Sequence, residues 1–137
     1  MRTAVTLLMI ALLGTGCVKD ELKDLTYNPF DPAYDGPPLF SLHSTTVEEI
    51  LTPEGLDRRL TQRIRMDRNL LLRNTTFTLE CVRITGGSGT VNVPSNELLD
   101  GYFDLVTNFS QQGTEYCWEI RLTNLGSIGA RNDVCGT

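Results

Sequence analysis

The sequence predicts an all-β fold, a β-sandwich of about seven strands, and three observations support this prediction. Short runs in which apolar and polar residues alternate recur along the chain from Leu39 onward. Clusters of turn-forming residues, rich in glycine, separate these runs. The runs themselves are enriched in β-branched and aromatic residues, which favour strands. Several short strands at this spacing are typical of two packed sheets.

Length and composition limit the classes of function. A chain of 137 residues with 40% hydrophobic residues is expected to form one globular domain of ordinary size. Its 12 basic and 17 acidic residues give a net charge of -5, which argues against nucleic-acid binding because that function needs a basic surface. The single histidine, His43, leaves little for a histidine-based metal site or catalytic pair, so we predict no metal and no cofactor.

Most of the strands can be assigned from alternation and from the turns between them. A first short run begins at Leu39, and the chain after Gly126 forms the last strand. Gly86–Gly89 is expected to turn the chain so that the following run returns antiparallel. The predicted strands between these ends are Thr76–Ile84, Thr90–Val93, Tyr102–Phe109 and Glu115–Asn124.

The segment from Thr45 to Met66 is ambiguous. Thr45 and Thr46 precede two glutamates by three residues, which is a capping-box pattern for a helix N-terminus. Further on, Leu56, Leu60 and Ile64 recur at helical spacing, but Leu60, Gln62, Ile64 and Met66 also alternate as in a strand. We predict a short helix or turn at 46–51 and a strand from about 59 to 67.

The clearest resemblance within the domain is near its end. Four residues alternate there and are followed by an asparagine and a glycine: Tyr116, Trp118, Ile120, Leu122, Asn124 and Gly126. This pattern resembles the penultimate strand of fibronectin type III modules. The resemblance implies an immunoglobulin-like or fibronectin type III-like sandwich over residues 38–137. It also implies that the tyrosine anchors a corner and that the alternating residues face the core.

The N-terminus has the features of an export signal. Arg2 precedes ten apolar or near-apolar residues, Ala4–Leu13, whereas a helix that spans a bilayer needs about 20. The small residues before Cys17 resemble the lipobox of bacterial lipoproteins, with the leucine one place further from the cysteine than usual. The resemblance implies removal of residues 1–16 and a lipid on Cys17. The alternative is an ordinary secretory signal cut elsewhere, with Cys17 in a disulfide.

Three charged residues after this cysteine bear on the location of the protein. Lys19, Asp20 and Glu21 resemble the lysine-plus-acidic signal that sends lipoproteins of Bacteroidota to the cell surface. The resemblance implies a lipid-anchored protein of the outer membrane that is exposed to the outside; a periplasm-facing position is the alternative. Several acyl chains on one cysteine would hold the protein stably, because one chain alone binds only marginally.

Residues 17–37 are predicted to form a flexible tether between the lipid and the domain. Prolines in this stretch and just after it exclude a helix or a central strand. Three aromatic residues in the tether either pack on the domain or form a docking strip for a partner: Tyr27, Phe30 and Tyr34.

If Cys17 carries a lipid, three cysteines are left in an oxidising compartment, where a disulfide is expected. A turn near Gly126 would place Cys117 opposite Cys135 on neighbouring strands, and we predict this pair; Cys81–Cys117 is the alternative. The same register brings like charges together, which is unfavourable unless a bulge relieves it. These like-charged pairs are Glu119 with Asp133 and Arg121 with Arg131.

An arginine-rich stretch is the main candidate binding surface. Six arginines lie between residues 58 and 73, and on a strand Arg59, Arg63 and Arg65 point to the same side. Such a strip on an acidic protein suits an anionic glycan, a lipid headgroup or an acidic partner. The alternative is a solvated outer face on which the arginine stems cover apolar atoms.

No catalytic motif accompanies these features, so we predict a non-catalytic lipoprotein of the cell envelope. It would serve as a surface binding or adhesion module, or as an accessory subunit of an outer-membrane complex. Its expected partners are the membrane, through the lipid, and another envelope protein or a glycan. The alternative is a small surface enzyme or enzyme inhibitor that acts on glycans or envelope proteins. A concave pocket lined by carboxylates would favour the alternative, and a flat apolar or aromatic edge would favour a binding module.

Overall fold

A computed structural model describes residues 28–67 and 75–137. The predicted signal peptide at 1–16, the predicted lipid-bearing Cys17 and the charged residues Lys19, Asp20 and Glu21 lie outside the described residues, as does Tyr27. None of the described residues form a helix with the length and hydrophobicity that a membrane-spanning segment requires.

The described chain is all-β and forms two antiparallel sheets. The strands are β1 Phe40–Thr52, β2 Gly55–Met66, β3 Thr78–Thr85, β4 Thr90–Pro94, β5 Tyr102–Thr107, β6 Tyr116–Asn124 and β7 Ser127–Gly136. Sheet I has the strand order β1-β2-β5, and sheet II has the order β4-β3-β6-β7. A single turn of 3₁₀ helix, Ser95–Glu97, follows β4. The predicted sandwich of about seven strands is confirmed.

The fourth strand determines which variant of the sandwich this is. β4 pairs with β3 in sheet II, so the sheets contain three and four strands. In immunoglobulin constant domains the fourth strand lies instead in the first sheet, beside the fifth. The observed strand order therefore differs from that of an immunoglobulin constant domain.

The core lies between the inner faces of β2 and β6. Every second residue of β2 from Leu60 to Met66 is buried, and so is every second residue of β6 from Tyr116 to Leu122. Trp118 is only 1% exposed and is the largest fully buried side chain. The alternation predicted for both strands is therefore confirmed, because residues two apart on a strand share one face of the sheet.

Tyr116 fixes the corner where the chain enters β6. Its hydroxyl oxygen accepts a hydrogen bond from the backbone amide of Gln111 at 2.7 Å, which is the contact of a tyrosine corner. Gly86 lies against the ring, and a Cβ at this position would come within 2.2 Å of the ring carbon Cδ1. The corner role implied by the resemblance is seen in the structure.

The helix or turn predicted at 46–51 is wrong, because these residues belong to β1. They pair antiparallel with β2 along the full length of a hairpin that turns at Pro53 and Glu54. Thr46, Val47 and Ile50 are β-branched and favour a strand. The capping-box pattern involves only a few neighbouring residues. The hydrogen bonds to β2 along the whole hairpin outweigh it, and the segment therefore forms a strand. The strand predicted from about 59 to 67 is confirmed, although it begins earlier, at Gly55.

The last hairpin has the predicted register. Cys117 lies opposite Cys135, and the two form a disulfide with their Cα atoms 4.1 Å apart. The backbone N–H of Cys117 donates a hydrogen bond to the side chain of Thr85 on β3. This N–H therefore points away from β7. The cysteines therefore occupy a non-hydrogen-bonded position, where paired residues come closest. Cys81 remains a buried free thiol.

Ion pairs, in addition to a bulge, reduce the repulsion within the like-charged pairs of this hairpin. A register shift does occur between Arg121 and Thr123. In addition, Arg121 pairs with Glu119 on its own strand and lies 3.2 Å from Glu80 on β3, so its charge is directed away from Arg131. The hairpin closes with a two-residue turn at Leu125 and Gly126, both with positive φ (49° and 84°), as in the turns that match strand twist.

Residues 28–37, which we call the strap, pack against the sandwich. The carbonyl of Pro29 accepts a hydrogen bond from Ala130 on β7 at 2.6 Å, and Gly129 leaves room for this close approach. The ring of Phe30 lies 6.3 Å from that of Phe77, and Tyr34 also packs on the core. This part of the predicted tether therefore belongs to the domain, and two of its three aromatic residues pack on it.

The buried position of Trp118 yields a stability prediction. Trp118→Ala should lower the free energy of unfolding by about 3–5 kcal/mol, because a large side chain is removed from a packed interior. Arg65→Ala, on the exposed outer face of β2, should change it by no more than about 0.5 kcal/mol. Denaturant midpoints measure both effects. A neutral Trp118→Ala variant would contradict the inward orientation of β6.

The cysteines yield a second prediction. Peptide mapping without reduction should recover Cys117 joined to Cys135, and reduction should cost roughly 3 kcal/mol for a closed loop of this length. Burial, and to a lesser extent the neighbouring Glu80, raises the pKa of the Cys81 thiol to about 12. Cys81 should therefore resist iodoacetamide at about pH 8 in the folded protein and react after denaturation. Recovery of a Cys81–Cys117 peptide would overturn the observed register.

Candidate functional site

The outer face of β2 carries the predicted arginines on one side. Arg59, Arg63 and Arg65 alternate with the buried residues of the same strand, so they share the outer face of sheet I. We call these three residues the basic strip. The prediction that they point to one side is confirmed. Arg68 and Arg73, from the same arginine-rich stretch, lie outside the described residues.

The three arginines of the basic strip have different partners. Arg63 Nε lies 3.9 Å from Asp104 Oδ1, and both side chains are about half-exposed, at 48% and 49%. Arg59 Nε donates to Asn108 Oδ1 at 3.2 Å. Within residues 28–67 and 75–137, Arg65 has no carboxylate partner. An ion pair this exposed contributes only about 0–1 kcal/mol, so the strip stays available for an external anion.

An aromatic cluster adjoins the basic strip. The Tyr102 ring lies under the Arg63 guanidinium, 5.4 Å from centroid to Cζ. The ring of His43 is 4.9 Å from that of Tyr102 and inclined at 65° to it. His43 lies at a register shift of β1, between Leu42 and Ser44. This surface combines a cation with two aromatic rings, an arrangement suited to recognition by stacking.

A groove opens beside this surface, where β4 and β5 form neighbouring edges of different sheets. Because these two strands do not pair with each other, the sandwich is open along this side. The groove has a volume of about 250 Å³, slightly below the usual range for small-molecule sites. It is lined by polar residues (Arg63, Asn92, Glu97, Tyr102 and Asp104) and by apolar residues (Val91, Val93, Leu99 and Phe103). Arg63, Tyr102 and Asp104 join the groove to the surface described above.

The groove residues on the β4 side were not identified from the sequence. Asn92 lies on β4, and Glu97 and Leu99 lie in or just after the 3₁₀ turn. No chemical motif marks them, and only the stacking of the two sheets brings them beside β5. The outward positions of β5 did carry a signal, since Tyr102 and Asp104 alternate with the buried Phe103 and Leu105.

A second polar cluster lies inside the sandwich. The side chain of Gln62 is fully buried; its Oε1 accepts from Trp118 Nε1 at 2.8 Å and its Nε2 donates to the carbonyl of Tyr116 at 3.0 Å. The guanidinium of Arg83 stacks on the Trp118 ring at 4.5 Å and donates to Thr107 Oγ1 at 3.0 Å. Burial lowers the pKa of Arg83. These contacts join the two sheets, and we assign this cluster a structural role.

One group of potential metal ligands occurs among the described residues: Glu115, Cys117 and Cys135. Both cysteines are joined in the disulfide, so neither offers the thiolate that binds metals. The arrangement therefore does not constitute a metal site.

Comparison with known proteins adds no assignment. No protein-family model matches the chain, and no curated protein gives a significant match to its sequence.

Proposed function

We propose that the protein is a non-catalytic lipoprotein of the bacterial cell envelope whose sandwich binds an anionic glycan at the outer face of sheet I. The observation that supports this most directly is the position of Arg63. It belongs to the basic strip, covers the Tyr102 ring and also lines the groove. A ligand that lies across the strip and enters the groove would contact cationic, aromatic and polar groups at once.

The chemistry of the groove suits a sugar ring. Its apolar lining and the Tyr102 ring can contact the C–H face of a saccharide, while Asn92, Asp104 and Glu97 can bind hydroxyl groups. Arg63 and Arg65 offer planar donors that match a carboxylate or phosphate on the same ligand. This combination favours an acidic glycan over a neutral one.

The location belongs to the same proposal. The apolar run that ends before Cys17, and the charged residues that follow, support a lipid-anchored protein of the outer membrane that faces the cell exterior. A lipid at this position would hold the binding domain close to envelope glycans and to other envelope proteins. If it contacts another envelope protein, it would serve as an accessory subunit of a membrane complex.

A second candidate function is supported by the two carboxylates of the groove. Glu97 and Asp104 both line it, and paired carboxylates are the usual catalytic groups of glycoside hydrolysis. Incubation of the protein with acidic oligosaccharides, followed by mass analysis, separates the candidates. Cleavage that is lost in Glu97→Gln would favour the enzyme, whereas binding without cleavage favours the module.

The anchor can be tested in cells. Cys17→Ser should abolish lipidation, because serine lacks the thiol that accepts the diacylglyceryl group. Metabolic labelling with a fatty-acid analogue should mark the unaltered protein and leave the variant unmarked. Equal labelling of the two proteins would refute the lipoprotein assignment.

The binding surface can be tested by titration with an acidic oligosaccharide. Arg63→Ala should weaken binding by about tenfold or more, because a charge-assisted hydrogen bond and a stacking contact are both lost. The matched control is Arg131→Ala, which removes the same charge from an exposed position on sheet II and should leave the affinity unchanged. Equal losses in the two variants would show that only the overall charge matters and would contradict a specific site.

A further inference from the structure

The outer edge of β1 is an unpaired strand edge over most of its length. β1 is the terminal strand of sheet I and is thirteen residues long. At its start, the side chain of Asn132 takes the place of a neighbouring strand, since it accepts from the Phe40 amide at 3.1 Å and donates to the Phe40 carbonyl at 2.9 Å. Beyond the register shift at His43, no described segment pairs with this side of β1. We call Ser44–Thr52 the free edge.

The free edge lacks lysine and proline, two of the residues that commonly protect edge strands. Natural sheets discourage additional strands with lysine, proline or very short edges. The free edge contains no lysine, arginine or proline, and its β-branched residues favour strand pairing. Its only charges are Glu48 and Glu49, which point to opposite faces because they are adjacent.

The inner face of the hairpin tip is also uncovered, and it carries exposed apolar side chains beside Glu49 and Arg58. At Gly136, β7 lies close to Leu42 and Thr45, and past this point β1 is exposed on its inner side. Leu51 and Leu56 face each other across the hairpin and are 82% and 68% exposed. Val47, on the same face, is 41% exposed. A strand added beside β1 would place its own side chains next to these exposed apolar side chains and partly cover them.

We propose that the free edge binds an extended, basic segment of a partner protein, which adds to sheet I as an outer strand. Backbone hydrogen bonds would supply the register-independent part of the affinity. The side chains of β1 specify the segment, with basic residues opposite Glu48 and Glu49 and apolar residues opposite Val47 and Leu51. For an antiparallel segment the pattern reads apolar, any residue, basic, basic, apolar. The proposal does not depend on the lipid anchor or on the groove.

The charges favour such a segment over a second copy of this chain. Two copies joined along the free edge would bring four glutamates and no cation from β1 into one ribbon, and like charges on paired strands are destabilising. The glutamates are available to a partner: although Glu48 lies opposite Arg59 and Glu49 opposite Arg58, neither forms an ion pair within the described part of the chain. The net charge of -5 also attracts a basic segment.

The test uses the full chain in mild detergent and a fluorescent nine-residue peptide. The peptide carries lysine opposite Glu48 and Glu49 and valine opposite Val47 and Leu51; the control peptide has glutamate in place of lysine. We expect binding of the lysine peptide only, with new amide protection in Ser44–Thr52 by hydrogen exchange. The E48Q/E49Q variant should bind about fivefold more weakly. The matched control E115Q/D133N neutralises two exposed acids on the other sheet or next to it and should bind as the unaltered protein does.

Three results would overturn the proposal. The first is equal binding of the two peptides, or binding without protection of Ser44–Thr52. The second is a dimer in sedimentation whose interface protects the free edge, which would identify a second copy as the occupant. The third is protection of the free edge in the monomeric chain without peptide, which would identify a segment of this chain. None of these results bears on labelling at Cys17 or on glycan binding at Arg63.

Discussion

The hydrogen bond from Trp118 to Gln62 is the constraint on which the rest of the sandwich depends. A buried indole N–H that lacks an acceptor costs free energy, and so does a buried amide without partners. Trp118 from sheet II and Gln62 from sheet I satisfy each other's polar groups, and this allows both side chains to be buried. The amide of Gln62 also donates to the carbonyl of Tyr116, the residue that anchors the corner. Displacement of either strand by one residue would leave all these groups unsatisfied.

The exposed surfaces follow from this constraint. Because Gln62 must point inward, the odd-numbered residues of β2 must point outward, and this places Arg63 and Arg65 on the outer face. The next strand in the sheet, β5, then brings Tyr102 and Asp104 alongside them. The candidate site is therefore the outer side of the same strand whose inner side locks the sheets together. The same alternation of inward and outward side chains along β2 determines both the core and the candidate site.

The parts of the structure that the sequence predicts are those governed by a period of two. Alternation identified the buried residues of β2 and β6, and counting from the turn at Gly126 identified the disulfide and its register. The segment 46–51 was misassigned because a local capping pattern competed with pairing to β2, which is a contact across the hairpin. The groove and the free edge could not be predicted from alternation, since both depend on which strands end up at the edges of the sheets.

The attachment of the strap to β7 has a mechanical consequence. A pull applied to the chain before Pro29 would reach the sandwich first at the hydrogen bond between Pro29 and Ala130, near the beginning of β7. Because this is a single hydrogen bond, it would break before the ladder between β6 and β7 opened, and the load would pass along the covalent chain to the start of β1 at Phe40. There β1 is paired with β2 along its whole length, so further extension would have to separate these two strands. The disulfide at Cys135 would keep β6 and β7 joined while the hairpin of β1 and β2 bears the load.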